Sequence, residues 1–235
     1  MIVARALCKG FGRTQVLRSL NMGITRGRVT AIVGPNGAGK TTLIKCVLGL
    51  TRPDAGELLF DGAPIRGQDA YRARIGYMPQ IARFPDNLTG TEFLTLLRTI
   101  RGSAASDDRM VDELALGTQL HQQLRVLSGG TKQKMNAVAA FMFNPEVLIL
   151  DEPTSGLDPL AAGVMKDRIR SERASGRTVI ITSHILSEID ELADDIVYLT
   201  DGRVQYAGSV AGLRQSTDQP TLERAIACLM TRSAQ

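Results

Sequence analysis

Tryptophan is absent from this 235-residue sequence, and aromatic residues make up only 4% of it. That leaves little material for a platform on which nucleic-acid bases could stack. Cysteine is also scarce: Cys8, Cys46 and Cys228 are odd in number, far apart and free of any C-x-x-C pair, and the only histidines are His121 and His184. The pattern argues against a disulfide scaffold or a metal cluster, and a buried thiol is expected at each cysteine. No apolar run approaches the roughly 18 residues needed to cross a bilayer, and the apolar part of residues 1–10 is short for a secretory signal. The protein is therefore expected to start and stay in the cytoplasm. The net charge of +4 is small. It suits nucleic acid, an anionic membrane face or a nucleotide site, and a solvated surface explains it equally well.

What is present is an ordinary globular composition, 43% hydrophobic and 22% charged, long enough for one large domain or one domain with an inserted lobe. Its organising stretch is Gly34-Pro35-Asn36-Gly37-Ala38-Gly39-Lys40-Thr41-Thr42. This matches the phosphate-binding pattern G-x-x-x-x-G-K-[ST] and stands between an apolar run at 29–33 and a helix-like segment at 41–50, the context the pattern requires. The glycines let the backbone turn so that successive N–H groups point at one anion, and the helix start adds its positive dipole end. Lys40 is expected to place a positive charge between the outer phosphates, and the Thr41 hydroxyl to ligate magnesium.

Residues 2–7 and 16–24 read as strands around a turn, with Phe11 between Gly10 and Gly12 as a candidate stack for a nucleotide base. The turns at 53–56 and Asp61-Gly62, with a strand at 57–60 between them, complete a small antiparallel sheet. A strand at 75–80 is stopped by Pro79 and leaves Gln80 at its end, a frequent position for a site residue in an open α/β sheet. From about 81 to 127 the pattern becomes helical, at 91–100 and at 107–116 with Asp107 as N-cap, and is read as an inserted lobe. Continuous apolar runs at 147–150 and 178–182 predict central parallel strands, joined by a helix that Asp158-Pro159 opens and that runs to about 174. After a helix at 185–192, Asp201-Gly202 predicts a hairpin. A helix at 221–230 closes a C-terminal extension taken as 209–235. The fold class expected is α/β, a mainly parallel P-loop-type sheet with an antiparallel β subdomain and an inserted helical lobe.

Chemistry is concentrated at strand and helix ends. Asp151 and Glu152 follow a buried strand, and successive strand residues point in different directions. Asp151 is thus assigned to magnesium and Glu152 to polarising the attacking water. The segment Leu127-Ser128-Gly129-Gly130-Thr131 opens a helix-like run to 143 and can present a hydroxyl, bare N–H groups and a dipole to a second anion.

These motifs, in this order, make the chain resemble the nucleotide-binding subunits of ABC transporters from about residue 2 to 208. The resemblance implies that two such subunits pair head to tail, each ATP lying between the phosphate loop of one and the Ser128-Gly129-Gly130 signature of the other. It implies that Phe11 stacks on adenine, that Gln80 senses magnesium and couples to a membrane partner, that Asp158 communicates across the interface and that His184 contacts the γ-phosphate. Thr131 departs from the glutamine common at that position. A membrane subunit is expected to dock near Gln80, at Phe84, Pro85 and Leu88, on the cytoplasmic face of the inner or plasma membrane. Residues 131–137 and 222–227 are more narrowly similar to the NosF-type ATPases of NosDFY transporters. Those serve copper-site maturation of nitrous oxide reductase, which implies a periplasmic accessory protein. The alternatives are an ATPase for drug, lipid or polysaccharide export, and a soluble ABC ATPase acting on nucleic acid or ribosomes.

Overall fold

The strands β3 (Val29–Val33), β7 (Val147–Asp151) and β8 (Thr178–Thr182) are buried at every residue. β-branched side chains dominate them, as suits strands covered on both faces. They form the centre of a six-stranded sheet in the order β10-β9-β3-β8-β7-β6, completed by β6 (Ile75–Met78), β9 (Asp195–Thr200) and β10 (Arg203–Ser209). All its pairs are parallel except the β9–β10 hairpin, whose turn residues Asp201 and Gly202 both have positive φ, as a two-residue hairpin turn demands. This computed structural model describes residues 1–102 and 106–233. The parts of the expected lobe and C-terminal extension at 103–105 and 234–235 lie outside the described residues.

Alternation along these strands divides the core in two. Val29, Ala31, Leu148, Leu150, Val179, Ile181, Ile196 and Tyr198 face the layer containing the helices α2 (Gly90–Arg101), α3 (Arg109–Glu113), α4 (Gly129–Phe141) and α5 (Pro159–Ala174). Ile32, Val147, Ile149, Ile180, Val197 and Leu199 face the opposite side. That side holds α1 (Lys40–Val47) and a second, antiparallel sheet ordered β2-β1-β4-β5. Its strands are β1 (Ile2–Phe11), β2 (Thr14–Ile24), β4 (Ala55–Phe60) and β5 (Ala63–Pro64). The side-chain period of two thus sends one strand set into two different cores. α6 (Leu186–Leu192), α7 (Val210–Thr217) and α8 (Leu222–Ser233) join the first.

Several local expectations change. The helix predicted at 107–116 is a single turn and a half, Arg109–Glu113; Asp108 stands at the cap position without a side-chain capping bond, and the Asp107 carboxylate supplies it by accepting the Arg109 N–H at 3.1 Å. The same carboxylate also accepts bonds from the Arg109 guanidinium at 2.6 and 2.8 Å and from Arg168 at 2.8 Å. Arg168, on α5, is only 7% exposed and also pairs with Glu172 at 2.9 Å, and Glu172 pairs in turn with Arg177. α1 ends at Val47 rather than Leu50, since Gly49 takes φ of +67°. Of the three thiols expected to be buried, only Cys46 is; Cys8 and Cys228 are half-buried. Burial pushes the Cys46 thiol up to about 11. α7 was not foreseen, because Ser209, its N-cap, also ends strand β10.

The Arg109 guanidinium foremost, against the opposing effect of burial, and Arg168 after it hold the Asp107 carboxyl well below the usual carboxylate range. A lowered folded pKa stabilises above the unfolded value of about 3.9 and ceases to as pH falls below it. Asp107→Asn is therefore expected to cost about 3 kcal/mol at pH 7, the low end for breaking a buried pair since Arg168 keeps Glu172. Thermal unfolding should show the gap between wild type and variant narrowing below about pH 4; a gap independent of pH would refute the assignment.

Candidate active site

Three strand ends define one edge of the parallel sheet. Register pairs Ile32 with Thr182 and Thr182 with Asp151, so the phosphate loop after β3 and the carboxylates of β7 flank the end of β8. Such a carboxyl-end crevice is where open α/β sheets bind ligands.

The loop at 34–42 is shaped by close packing as much as by turn chemistry. A Cβ on Gly34 would lie 1.9 Å from the Leu199 carbonyl oxygen, so only glycine lets β3 leave the sheet beneath β9. Gly37 and Gly39 have φ of +81° and +106°. The Ala38 N–H donates to the Pro35 carbonyl at 3.2 Å, whereas among the described residues the N–H groups of Asn36, Gly37 and Gly39 make no backbone bond. Free donors converging at a helix start fit an oligophosphate. Lys40 is half-buried and donates to the carbonyls of Gly34 and Pro35 at 2.6 and 3.1 Å. Burial lowers its pKa, while the fields of Glu152 and Asp151 oppose that shift. Lys40 and both carboxylates therefore share one electrostatic neighbourhood. Thr41 and Thr42 continue into α1.

Asp151 and Glu152 are both buried and differ in surroundings. Asp151 accepts a short hydrogen bond from the Thr182 hydroxyl. Its field, after burial as the larger cause, pushes the Tyr77 phenol up to about 12. The Glu152 backbone takes φ of +54°, a left-handed conformation costing about 1–3 kcal/mol outside glycine. It is pinned there by its N–H, which donates to the carbonyl and the hydroxyl of Thr182, both at 3.1 Å, and by Gln133, whose amide donates to its carbonyl at 3.4 Å. At this strained turn the side chain meets His184, whose Nδ1 lies 2.8 Å from Glu152 Oε2. The His184 side chain is 74% exposed and that of Glu152 only 11%, so the pair joins a buried carboxylate to open space.

Gln80 is exposed, beyond the end of β6. Asn136 of α4 steadies the chain next to it by donating to the Pro79 carbonyl at 2.7 Å. Thr41, Gln80 and Asp151 offer hydroxyl, amide and carboxylate oxygens, a donor set suited to magnesium completed by water and phosphate oxygens. Among the described residues no group of three or more His, Cys, Asp or Glu could hold a metal ion. Phe84 and Leu88, expected on a docking face, are partly buried against the helical core, and Phe84 meets Phe93 edge-on at 5.0 Å. Pro85 is exposed, as is Ile81 of the same loop, 73% accessible. Phe11 ends β1 rather than sitting in a turn, and is 53% exposed with Lys9 Nζ 5.3 Å from its ring centre.

The second anion-presenting element is separate. Ser128 caps α4, Gly129 and Gly130 follow, and a Cβ on Gly130 would lie 3.0 Å from the Gly156 carbonyl oxygen. Asp158 caps α5 through the Ala161 N–H at 2.9 Å and pairs with Lys134 of α4 at 3.0 Å. No hydrogen bond or ion pair among the described residues joins Ser128, Gly129, Gly130 or Asp158 to the loop at 34–42.

Thr182, Gln133 and Asn136 were not anticipated. Thr182 had a signal, a hydroxyl residue ending a buried strand in the segment before His184; Gln133 and Asn136 announce themselves only as polar residues on the buried face of α4. Thr182→Val should leave a buried carboxylate oxygen and weaken the anchoring of Glu152, costing about 1–3 kcal/mol. The melting temperature is expected to fall by about 3–9 °C and to recover in Thr182→Ser. An unchanged melting temperature would mean that this hydroxyl does not brace the site.

Comparison with known proteins places this geometry. The family description "ABC transporter" matches residues 17–155. The Nod factor export ATP-binding protein I of Ralstonia nicotianae is 34% identical over 86% of this chain, which spans 65% of that protein's length. The lantibiotic transport ATP-binding protein SrtF of Streptococcus pyogenes is 33% identical over 89% of this chain and 93% of its own. A solved structure described as the ATP binding subunit of an ABC transporter superposes with a TM-score of 0.92 at 30% identity, covering 98% of this chain and 99% of that one. With the family match extending over more than half of the sequence, and the same fold in a related subunit, the chain belongs to the ABC transporter family as an ABC ATPase domain.

Proposed function

We propose that this subunit binds MgATP on the 34–42 loop, hydrolyses it with Glu152, and powers an export-type membrane transporter from the cytoplasmic face. The observation that carries the reading is the placement of Glu152: a buried carboxylate on a strained turn, beside His184 and in the same field as Lys40. Glu152 is oriented to take a proton from water attacking the terminal phosphate, and His184 to contact that phosphate. Lys40 leaves its two loop carbonyls for phosphate oxygens. Magnesium, held through Thr41, Asp151 and Gln80, neutralises charge on the outer phosphates. Phe11 supplies an exposed ring for adenine.

Dimerisation follows from what one chain lacks. Its signature, at exposed Ser128 and at Gly129 and Gly130 with Asp158 nearby, has no hydrogen bond or ion pair among the described residues to its own phosphate loop. A second subunit, a homodimer in the simplest case, brings the two surfaces together around ATP. Closure on ATP and release on hydrolysis make a two-state switch. No helix among the described residues is long and apolar enough to cross a membrane, so the membrane-embedded part falls to a partner. Ile81 and Pro85 are exposed to meet it, with Phe84 and Leu88 partly buried beside them.

The names of the relatives above concern export of Nod factor and transport of lantibiotics, which favours an export ATPase of this general kind. The NosDFY-type assignment, with copper-site maturation and a periplasmic accessory protein, rests on the segments 131–137 and 222–227 alone. A copper-associated periplasmic protein recovered with the transporter would select it.

Glu152→Gln is expected to cut steady-state ATP turnover by about 10² to 10⁴ while keeping nucleotide affinity, and to accumulate the ATP-bound dimer on a sizing column; full turnover would remove Glu152 from its role. Ser128→Arg should retain ATP binding by the single subunit and abolish that dimer, whereas a dimer that survived would refute the head-to-tail arrangement.

A further inference from the structure

Ser128 is already used once when it caps α4: its Oγ accepts the Thr131 N–H at 3.1 Å. The Thr131 hydroxyl lies 2.8 Å from the same Oγ. Among the described residues that hydroxyl has no other hydrogen-bond partner. It caps no backbone group, so the fold of α4 gives it no separate task. Ser128 is exposed and Thr131 half-buried beneath it.

A serine hydroxyl has one proton and two lone pairs. With one lone pair taken by the Thr131 N–H, the contact between the hydroxyls can run two ways. If Ser128 donates to Thr131, the serine proton is consumed within the helix start. If Thr131 donates to Ser128, both serine lone pairs are filled, and the serine proton becomes the one group left to point outward. An anion brought up to Ser128 selects the second arrangement, because it can only accept. The resulting chain, Thr131 O–H to Ser128 O–H to anion, polarises each bond in the same sense and strengthens the last one.

We propose that Thr131 is a positioning residue of the signature, whose hydroxyl fixes Ser128 as a hydrogen-bond donor to a phosphate oxygen of the ATP held by the opposite subunit. The inference rests on the head-to-tail reading above. No covalent bond changes; each proton stays on its own oxygen and only the direction of donation is set. Threonine, with its hydroxyl on Cβ, reaches Ser128 and no farther, so its effect on phosphate is exerted through the serine.

The test uses the full chain carrying Glu152→Gln, with ATP-driven dimerisation followed by analytical ultracentrifugation across an ATP titration. Thr131→Val, which keeps the shape and removes the hydroxyl, is expected to raise the ATP concentration for half-dimerisation on the order of tenfold. Thr131→Ser should restore it to within about twofold. The melting temperature and the affinity of the single subunit for a fluorescent ATP analogue are the controls. A Thr131→Val dimer that forms like the parent, beside a Ser128→Ala dimer that forms poorly, would overturn the relay and leave the head-to-tail reading standing. If Ser128→Ala dimerises normally as well, the head-to-tail reading itself has failed. A Thr131→Val defect accompanied by a drop of several degrees in melting temperature, or one that Thr131→Ser does not repair, would assign the residue a structural role and overturn the proposal.

Discussion

The attraction between the Lys40 ammonium and the Asp151–Glu152 carboxylates is the constraint on which the site depends. These charges come from the start of α1 and the end of β7, more than a hundred residues apart in sequence, and the sheet register of Ile32, Thr182 and Asp151 brings the loop before α1 and the end of β7 to one edge. The ammonium is partly removed from water, which disfavours its charge, and the carboxylates offset part of that cost. A neutral strand end on β7 would leave the loop's cation poorly compensated; without the cation, two adjacent carboxylates would repel. Each half of the site makes the other tolerable.

Strain is held in the same place. Glu152 adopts a backbone conformation that favours glycine, and bonds from its N–H to both oxygens of Thr182 keep it there. An unstrained strand would have continued the alternation and sent Glu152 to the opposite face from Asp151. The bent chain instead turns the carboxylate to His184. That geometry could not be foreseen from the dipeptide Asp-Glu, since sequence gives the residue types and not the turn between them.

Much of the architecture was legible because the local signals were strong and mutually consistent. The runs at 147–150 and 178–182 read as buried strands from their continuous apolar character, Asp158-Pro159 marked the start of a helix to Ala174, and Asp201-Gly202 marked a hairpin. What went unread shares a cause: partners distant in sequence. Asp107 meets the helix start as an N-cap residue does, and Arg168, 61 residues on, is a second partner that the local pattern did not announce. Phe84 and Leu88, expected with Pro85 on a docking face, are partly buried against the helical core, while Pro85 is exposed. Thr182, Gln133 and Asn136 support the site through contacts whose sequence separation hides them.

The phosphate loop lies near the start of the chain, and its supports come from near the end. Gly34 is packed under the carbonyl of Leu199, the Gly202 N–H donates to the Ala38 carbonyl at 3.2 Å, and β3 has β8 and β9 as its sheet neighbours. During synthesis the chain emerges from its N-terminus, so the loop leaves the ribosome long before the strands that shape it. A nascent chain ending ahead of the β9–β10 hairpin carries the complete nucleotide-binding motif and lacks its scaffold. The loop's packing is thereby deferred until the β9–β10 hairpin has been made, so the order of motifs in the sequence is no guide to the order in which the site is completed.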